Sequence, residues 1–137
     1  ADQARPERFP GAVVLCRDPE EAARDLPIGP DDHACVVTHD HALDARVAGI
    51  LVRRPLAFLG MVGSRAKRGA FVGRLRADGA TDEELARLHT PVGLDIGAQT
   101  PEEIAVSVVA QLIAVRRGVP IEAGWERPAG GKEEEGS

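Results

Sequence analysis

Residues 56–67 read Leu-Ala-Phe-Leu-Gly-Met-Val-Gly-Ser-Arg-Ala-Lys, a short apolar run that ends in two glycines and passes into a helix opening with Ser, Arg and Lys. This joint constrains the fold more than any other stretch. A continuous apolar run is the mark of a strand buried on both faces, as in parallel sheets covered by helices. The same alternation repeats on either side. Ala34-Cys35-Val36-Val37 is continuous and rich in β-branched residues, so it too reads as a strand buried on both faces, with Cys35 as inert packing. A helix follows over 42–53, with Leu43, Val47, Ile50 and Leu51 at helical spacing and Pro55 as its stop. Upstream, residues 12–15 form a short apolar run that reads as a strand. Asp18-Pro19-Glu20-Glu21 then supplies an N-cap, a proline at the first helical position and acids in the first turn of a helix over 19–26. Downstream, the spacing predicts helices over 67–77, with Phe71 and Leu75 on one face, and over 82–88 behind Thr81. A long apolar helix opens at Thr100-Pro101-Glu102-Glu103 and ends at Arg116, Arg117 and Gly118.

Strands alternating with helices give a parallel sheet with right-handed crossovers, a doubly wound, Rossmann-like α/β layer with flanking helices. Such a sheet normally opens with a strand and a Gly-x-Gly-x-x-Gly turn. That pattern does not occur; the only paired glycines after a strand are Gly60 and Gly63. The predicted fold is therefore truncated at its N-terminal side and lacks its first β-α-β unit. It spans residues 1–118, and residues 119–137 form a flexible polar tail ending in Gly-Gly-Lys-Glu-Glu-Glu-Gly-Ser. With Ala1 in place of an initiator Met, the chain reads as a fragment or a processed piece.

Composition narrows the function. The net charge is −5 and aromatics make up 3% of the 137 residues, which argues against a nucleic-acid partner and a base-stacking surface. No apolar run approaches the roughly 20 residues of a membrane span. Cys16 and Cys35 are the only cysteines, too few for a disulfide framework, and point to a reducing cytoplasm.

The chemistry-bearing residues gather at strand exits. Gly60, Gly63, Ser64, Arg65 and Lys67 form a candidate anion loop: glycines let backbone N–H groups approach a ligand, and Ser64 can cap the helix or bond an oxygen. The ordinary alternative is a plain strand-to-helix turn. However, Arg and Lys at a helix N-terminus oppose the macrodipole, a local cost that a bound phosphate would offset. Thr38, His39, Asp40 and His41 follow the earlier strand and would share the sheet edge where α/β folds bind ligands. Asp40 is also a natural N-cap. The two histidines are one residue apart, unlike a helical zinc pair, and no cluster completes a metal set. Asp95, between apolar residues, is expected to be partly buried and paired with Arg65 or a backbone donor. His89 reads as a surface residue.

Four stretches together resemble the C-terminal domain of the xanthine dehydrogenase accessory protein family (XdhC/CoxI). They are Arg5-Pro-Glu-Arg-Phe-Pro, Val36-Val-Thr-His-Asp-His, Phe58-Leu-Gly-Met-Val-Gly-Ser-Arg-Ala-Lys-Arg and Pro91-Val-Gly-Leu-Asp-Ile-Gly-Ala-Gln-Thr-Pro-Glu-Glu-Ile-Ala-Val-Ser. The resemblance implies a Rossmann-type domain that binds the molybdenum cofactor as cargo, assists its sulfuration and hands it to a molybdenum hydroxylase apoenzyme, with a cysteine desulfurase as a further partner. It implies no classical turnover enzyme. The chain departs from the family where a Gly-Ala-Gly-His type turn would stand. The missing strands would then come from a homodimer or from another chain. Two other functions compete. An NAD(P)-binding oxidoreductase fragment would need the absent glycine turn and a ribose-binding acid, for which Asp2 is the candidate. A non-catalytic interaction domain would tolerate neutralisation of the basic loop.

Overall fold

A computed structural model describes residues 6–119. After a 3-10 turn (Pro6–Arg8) the elements run α1 (Pro19–Asp25), β1 (His33–Val36), α2 (His41–Leu51), β2 (Phe58–Met61), α3 (Arg65–Ala77), α4 (Asp82–Leu85), β3 (Leu88–His89) and α5 (Pro101–Arg117). The three strands form one parallel sheet in the order β1-β2-β3. Ala34 stands beside Leu59 and Val36 beside Met61, while Leu59 and Gly60 stand beside Leu88 and His89. This is the expected Rossmann-like α/β layer, cut short on one side.

Local chemistry explains the helix starts. The Asp18 carboxylate accepts from the Glu21 N–H at 3.0 Å, with Pro19 preorganised behind it. Thr81 with Glu84, and Thr100 with Glu103, close reciprocal capping boxes. Gly118 ends α5 in the left-handed conformation (φ 69°) that a side chain would resist. The core lies on one face of the sheet. Val47, Ala48 and Leu51 of α2 meet Leu59, Met61, Val36 and Leu88 of the strands, with Leu75 of α3 closing the layer.

Four expectations are corrected. Residues 12–15 form no strand: Val13 is 88% exposed, and a four-residue apolar run without a neighbouring strand has nothing to hydrogen-bond. β1 is not buried on both faces: Ala34 and Val36 turn to the core, while His33 and Cys35 on the opposite face are exposed. Cys35 is consequently exposed rather than packed. The helix over 82–88 is a single turn, since Ala86 already serves as its C-cap and the chain turns into β3. His89, on that strand, is half-buried rather than superficial. The central strand covers Phe58–Met61, so it starts and ends two residues later than the apolar run over 56–59 reads. Residues 120–137, and with them all but Val119 of the predicted tail, lie outside the described residues, as does Asp2.

Phe58 is fully buried on the other sheet face, stacked on His89 at 4.5 Å between ring centroids with the planes 11° apart. Burial, and then the nearby Arg68 charge, pushes the His89 pKa below its usual value. The folded state thus resists a proton that the unfolded chain accepts near pH 6.5. Stability from this source is full above that pH and is lost as pH falls through it toward the depressed folded value. His89→Gln is expected to flatten the fall in unfolding midpoint between pH 7 and 5. An equally steep fall in the variant would refute the assignment.

Candidate functional site

All three strands point their C-terminal ends the same way, so the loops after Val36, Met61 and His89 meet at one edge of the sheet. The β2–α3 loop stands in the middle and divides two clefts. The first, about 590 Å³, lies between the N-terminal turns of α2 and α3 and is lined by His41, Asp44, Gly63, Ser64, Lys67, Arg68, Arg74 and Thr90, with Met61, Val62 and Phe71 as apolar wall. The second, about 490 Å³, lies between the same loop and residues 91–98. It is lined by Gly63, Arg65, Asp95 and the start of α5. Both volumes suit a small-molecule ligand.

Of the residues singled out in the sequence, His41, Gly63, Ser64 and Lys67 come together in the first cleft. Ser64 is the N-cap of α3, its hydroxyl accepting from the Lys67 N–H at 3.3 Å. Arg65 and Asp95 line the second cleft, and Asp95 is exposed instead of partly buried, because the 94–97 turn carries it outward. Asp40 caps α2, accepting from the Ala42 and Leu43 N–H groups at 2.9 and 3.2 Å. His39 is exposed and lines neither cleft. Gly60 lines neither as well. It lies inside buried β2, where a Cβ would collide with the Val92 side chain and come within 2.9 Å of the Phe58 ring. Its lack of a side chain serves packing at this point.

Thr38 acts through a residue that the sequence reading passed over. Asp44, on α2, is 2% exposed. Its Oδ1 accepts from the Thr38 N–H at 3.0 Å and from the Thr38 hydroxyl at 2.6 Å. Its Oδ2 is buried and has no hydrogen-bond partner among the described residues. A signal for it does exist in the sequence. Asp44 shares the stripe of Val47, Ala48 and Leu51 at i, i+3, i+4 and i+7, so the helix that buries them must bury the carboxylate too. Arg68, Arg74 and Thr90 were also passed over, and Phe71 was read only as part of a helix face. Arg68, Phe71 and Arg74 project from the α3 turns that follow the basic opening, and Thr90 directly follows a strand too short to read.

The second cleft's floor is built by α5. Gln111, 1% exposed, accepts the Gly93 N–H on Oε1 at 2.7 Å, and the Ser107 carbonyl accepts the Leu94 N–H at 3.1 Å. Gly93 has φ +105° and lies against the Ser107 hydroxyl, so only glycine suits the position. One buried side chain and one backbone carbonyl of α5 thereby fix the 91–97 loop against the sheet edge.

Among known proteins, residues 1–112 match the family model described as the XdhC Rossmann domain. The chain is 37% identical over 121 residues to the uncharacterized protein YqeB of Escherichia coli, a match that takes in 87% of this chain and 22% of that one. It is 34% identical over 114 residues to a Bacillus subtilis protein named as a probable component of xanthine dehydrogenase, covering 82% of this chain and 32% of the relative. A crystal structure titled as a xanthine dehydrogenase from Bacillus halodurans superposes with a TM-score of 0.69 at 32% identity, over 91% of this chain and 36% of that one. The chain thus spans about a fifth to a third of the length of these relatives. The family match reaches across every strand and loop that builds the two clefts. The chain belongs to the XdhC Rossmann-domain family.

Proposed function

We propose that this chain is the cofactor-handling domain of an accessory factor for a molybdenum hydroxylase of the xanthine dehydrogenase type. It holds the molybdenum cofactor as cargo during sulfuration and insertion into the apoenzyme. The observation that carries the reading is the first cleft, where the N-terminus of α3, with Ser64 as its cap and Lys67 in its first turn, opens beside Gly63 and His41 at the C-terminal edge of the sheet. The N-terminal end of a helix dipole and a lysine suit a phosphate, and the apolar wall of Met61, Val62 and Phe71 suits a flat ring. Family membership and the names of the relatives support the hydroxylase connection.

Cofactor released from a molybdenum hydroxylase and mixed with the chain is expected to co-elute with it in gel filtration, followed by pterin fluorescence. Elution of all pterin at the small-molecule volume would contradict the reading. A co-eluting dinucleotide in its place would favour an NAD(P)-binding domain.

Assembly is part of the same proposal. β1 presents one unpaired edge among the described residues, and Val106, Val109 and Ile113 of α5 are more than half exposed. Unpaired strand edges recruit partners. A second copy, a hydroxylase apoenzyme or a cysteine desulfurase is the partner in this account. The chain alone is expected to scatter light as a homodimer at high micromolar concentration, and a discrete monomer that binds no hydroxylase would refute this part.

A further inference from the structure

The carboxylate of Asp44 is used only by half. One oxygen ties the loop after β1 to α2 through two bonds from Thr38, at 3.0 and 2.6 Å. That structural task needs a single acceptor, which an amide oxygen would supply as well. The other oxygen is buried in the wall of the first cleft with no hydrogen-bond partner among the described residues. Buried polar atoms without partners are rare in native proteins, because each carries a desolvation cost that an unmade bond does not return. The lining around it offers Lys67 and Arg74 as exposed cations, Arg68 as a half-buried one, and no second carboxylate. A buried acceptor in a largely apolar wall, with the exposed charges of Lys67 and Arg74 nearer solvent, fits a ligand that is amino-substituted at one end and anionic at the other.

We propose that Asp44 reads the ring of the cleft's ligand: its free oxygen accepts a hydrogen bond from an exocyclic amino group of a phosphate-bearing heterocycle. The inference deepens the cofactor reading of this cleft and rests on it. An exocyclic amino group is favoured over a ring N–H because it projects beyond the ring edge and reaches an oxygen set back in the wall. The chemistry is shared by pterins and by amino-purines, and the experiment separates the two. His41, at the first position of α2, and Phe71, from α3, flank the same space and confine the ring between the two helices.

The test is a calorimetric titration of the full chain with two pairs of ligands. GMP and IMP differ only by the amino group, and 6-hydroxymethylpterin phosphate differs from its lumazine counterpart by an amino group replaced with an oxo group. The amino-bearing member of the pair that binds should bind about 10- to 100-fold more tightly, the range for one hydrogen bond to a charged acceptor. In Asp44→Asn the amide oxygen keeps the Thr38 bonds and the amide NH₂ replaces the free acceptor. The variant should therefore unfold at nearly the wild-type temperature and reverse the preference, taking the lumazine phosphate over the pterin or XMP over GMP. Preference for the pterin pair supports both the inference and the cofactor reading. Preference for GMP over IMP with no pterin binding supports amino recognition and overturns the pterin as its source. Equal affinity within the pair that binds overturns the role of Asp44 while the cleft reading stands. Binding of neither pair overturns both. The wild-type comparison decides even if the variant fails to fold.

Discussion

Arg65→Glu combined with Lys67→Glu is expected to weaken binding of a phosphate-bearing ligand by about a hundredfold or more, and to leave thermal stability equal or higher. Lys67 lines the first cleft and Arg65 the second, on either side of Gly63, so the pair sets the charge of the whole loop. The one charge-assisted hydrogen bond that Lys67 offers the first cleft is worth about 1.5–3 kcal/mol, and replacing both cations by anions adds repulsion to its loss. The folded state responds in the opposite sense. Both residues sit in the first turn of α3, which contains no acidic residue. Glutamates there complement the helix dipole by about 0.3–1 kcal/mol each. Calorimetry with ligand and a thermal melt without it read the two effects separately. Unchanged affinity would remove the loop from the site, and a lowered melting temperature would show that the basic pair stabilises the fold itself.

Phe58→Ala is expected to cost about 3–5 kcal/mol of unfolding free energy, the range for truncating a buried phenylalanine. Phe58 has no exposed surface, stacks on His89 at 4.5 Å and stands 6.0 Å from the His33 ring. It therefore joins all three strands on the face opposite the main core. Gly60, two residues on, leaves no side chain to collapse into the gap. For a domain of this size the melting temperature should fall by more than about 10 °C. A loss under about 1 kcal/mol would mean that this face contributes little and that α2 and α3 carry the fold alone.

What the sequence disclosed follows the range over which its signals act. Asp18, Thr81 and Thr100 announce helix starts because capping is settled within four residues, and all three cap in the structure. Asp40 was legible as a cap for the same reason. The sheet's parallel character followed from its alternation with helices. Which strand lies at the edge depends on the neighbours that stand beside it, so Cys35 read as buried from its own segment and is exposed in the sheet. β3 was illegible because Leu88-His89 is shorter than any periodic pattern and follows a capping box that promises a longer helix.

The site was legible as a place more than as a list. The basic loop and the run after β1 do meet at one sheet edge, as strand exits in a parallel sheet must. Their individual roles depend on rotation about the helix and strand axes. Thr38 turns inward to Asp44 while His39 turns to solvent, and Gly60 faces Val92 while Gly63 faces the clefts. Asp44 was hidden by its neighbours: an acid one position from Leu43 looks like the solvent side of the helix until the burial of Val47, Ala48 and Leu51 fixes which stripe faces in.

On the proposed reading, the cleft between α2 and α3 carries the molybdenum cofactor. The most direct test of that reading is mass spectrometry of the small molecules released by denaturing the chain after purification from molybdenum-replete cells that make a hydroxylase. The account expects a molybdopterin species in the wild-type sample and its loss from the Arg65→Glu, Lys67→Glu variant. A dinucleotide in its place, or wild-type protein that releases no pterin under those conditions, would contradict it.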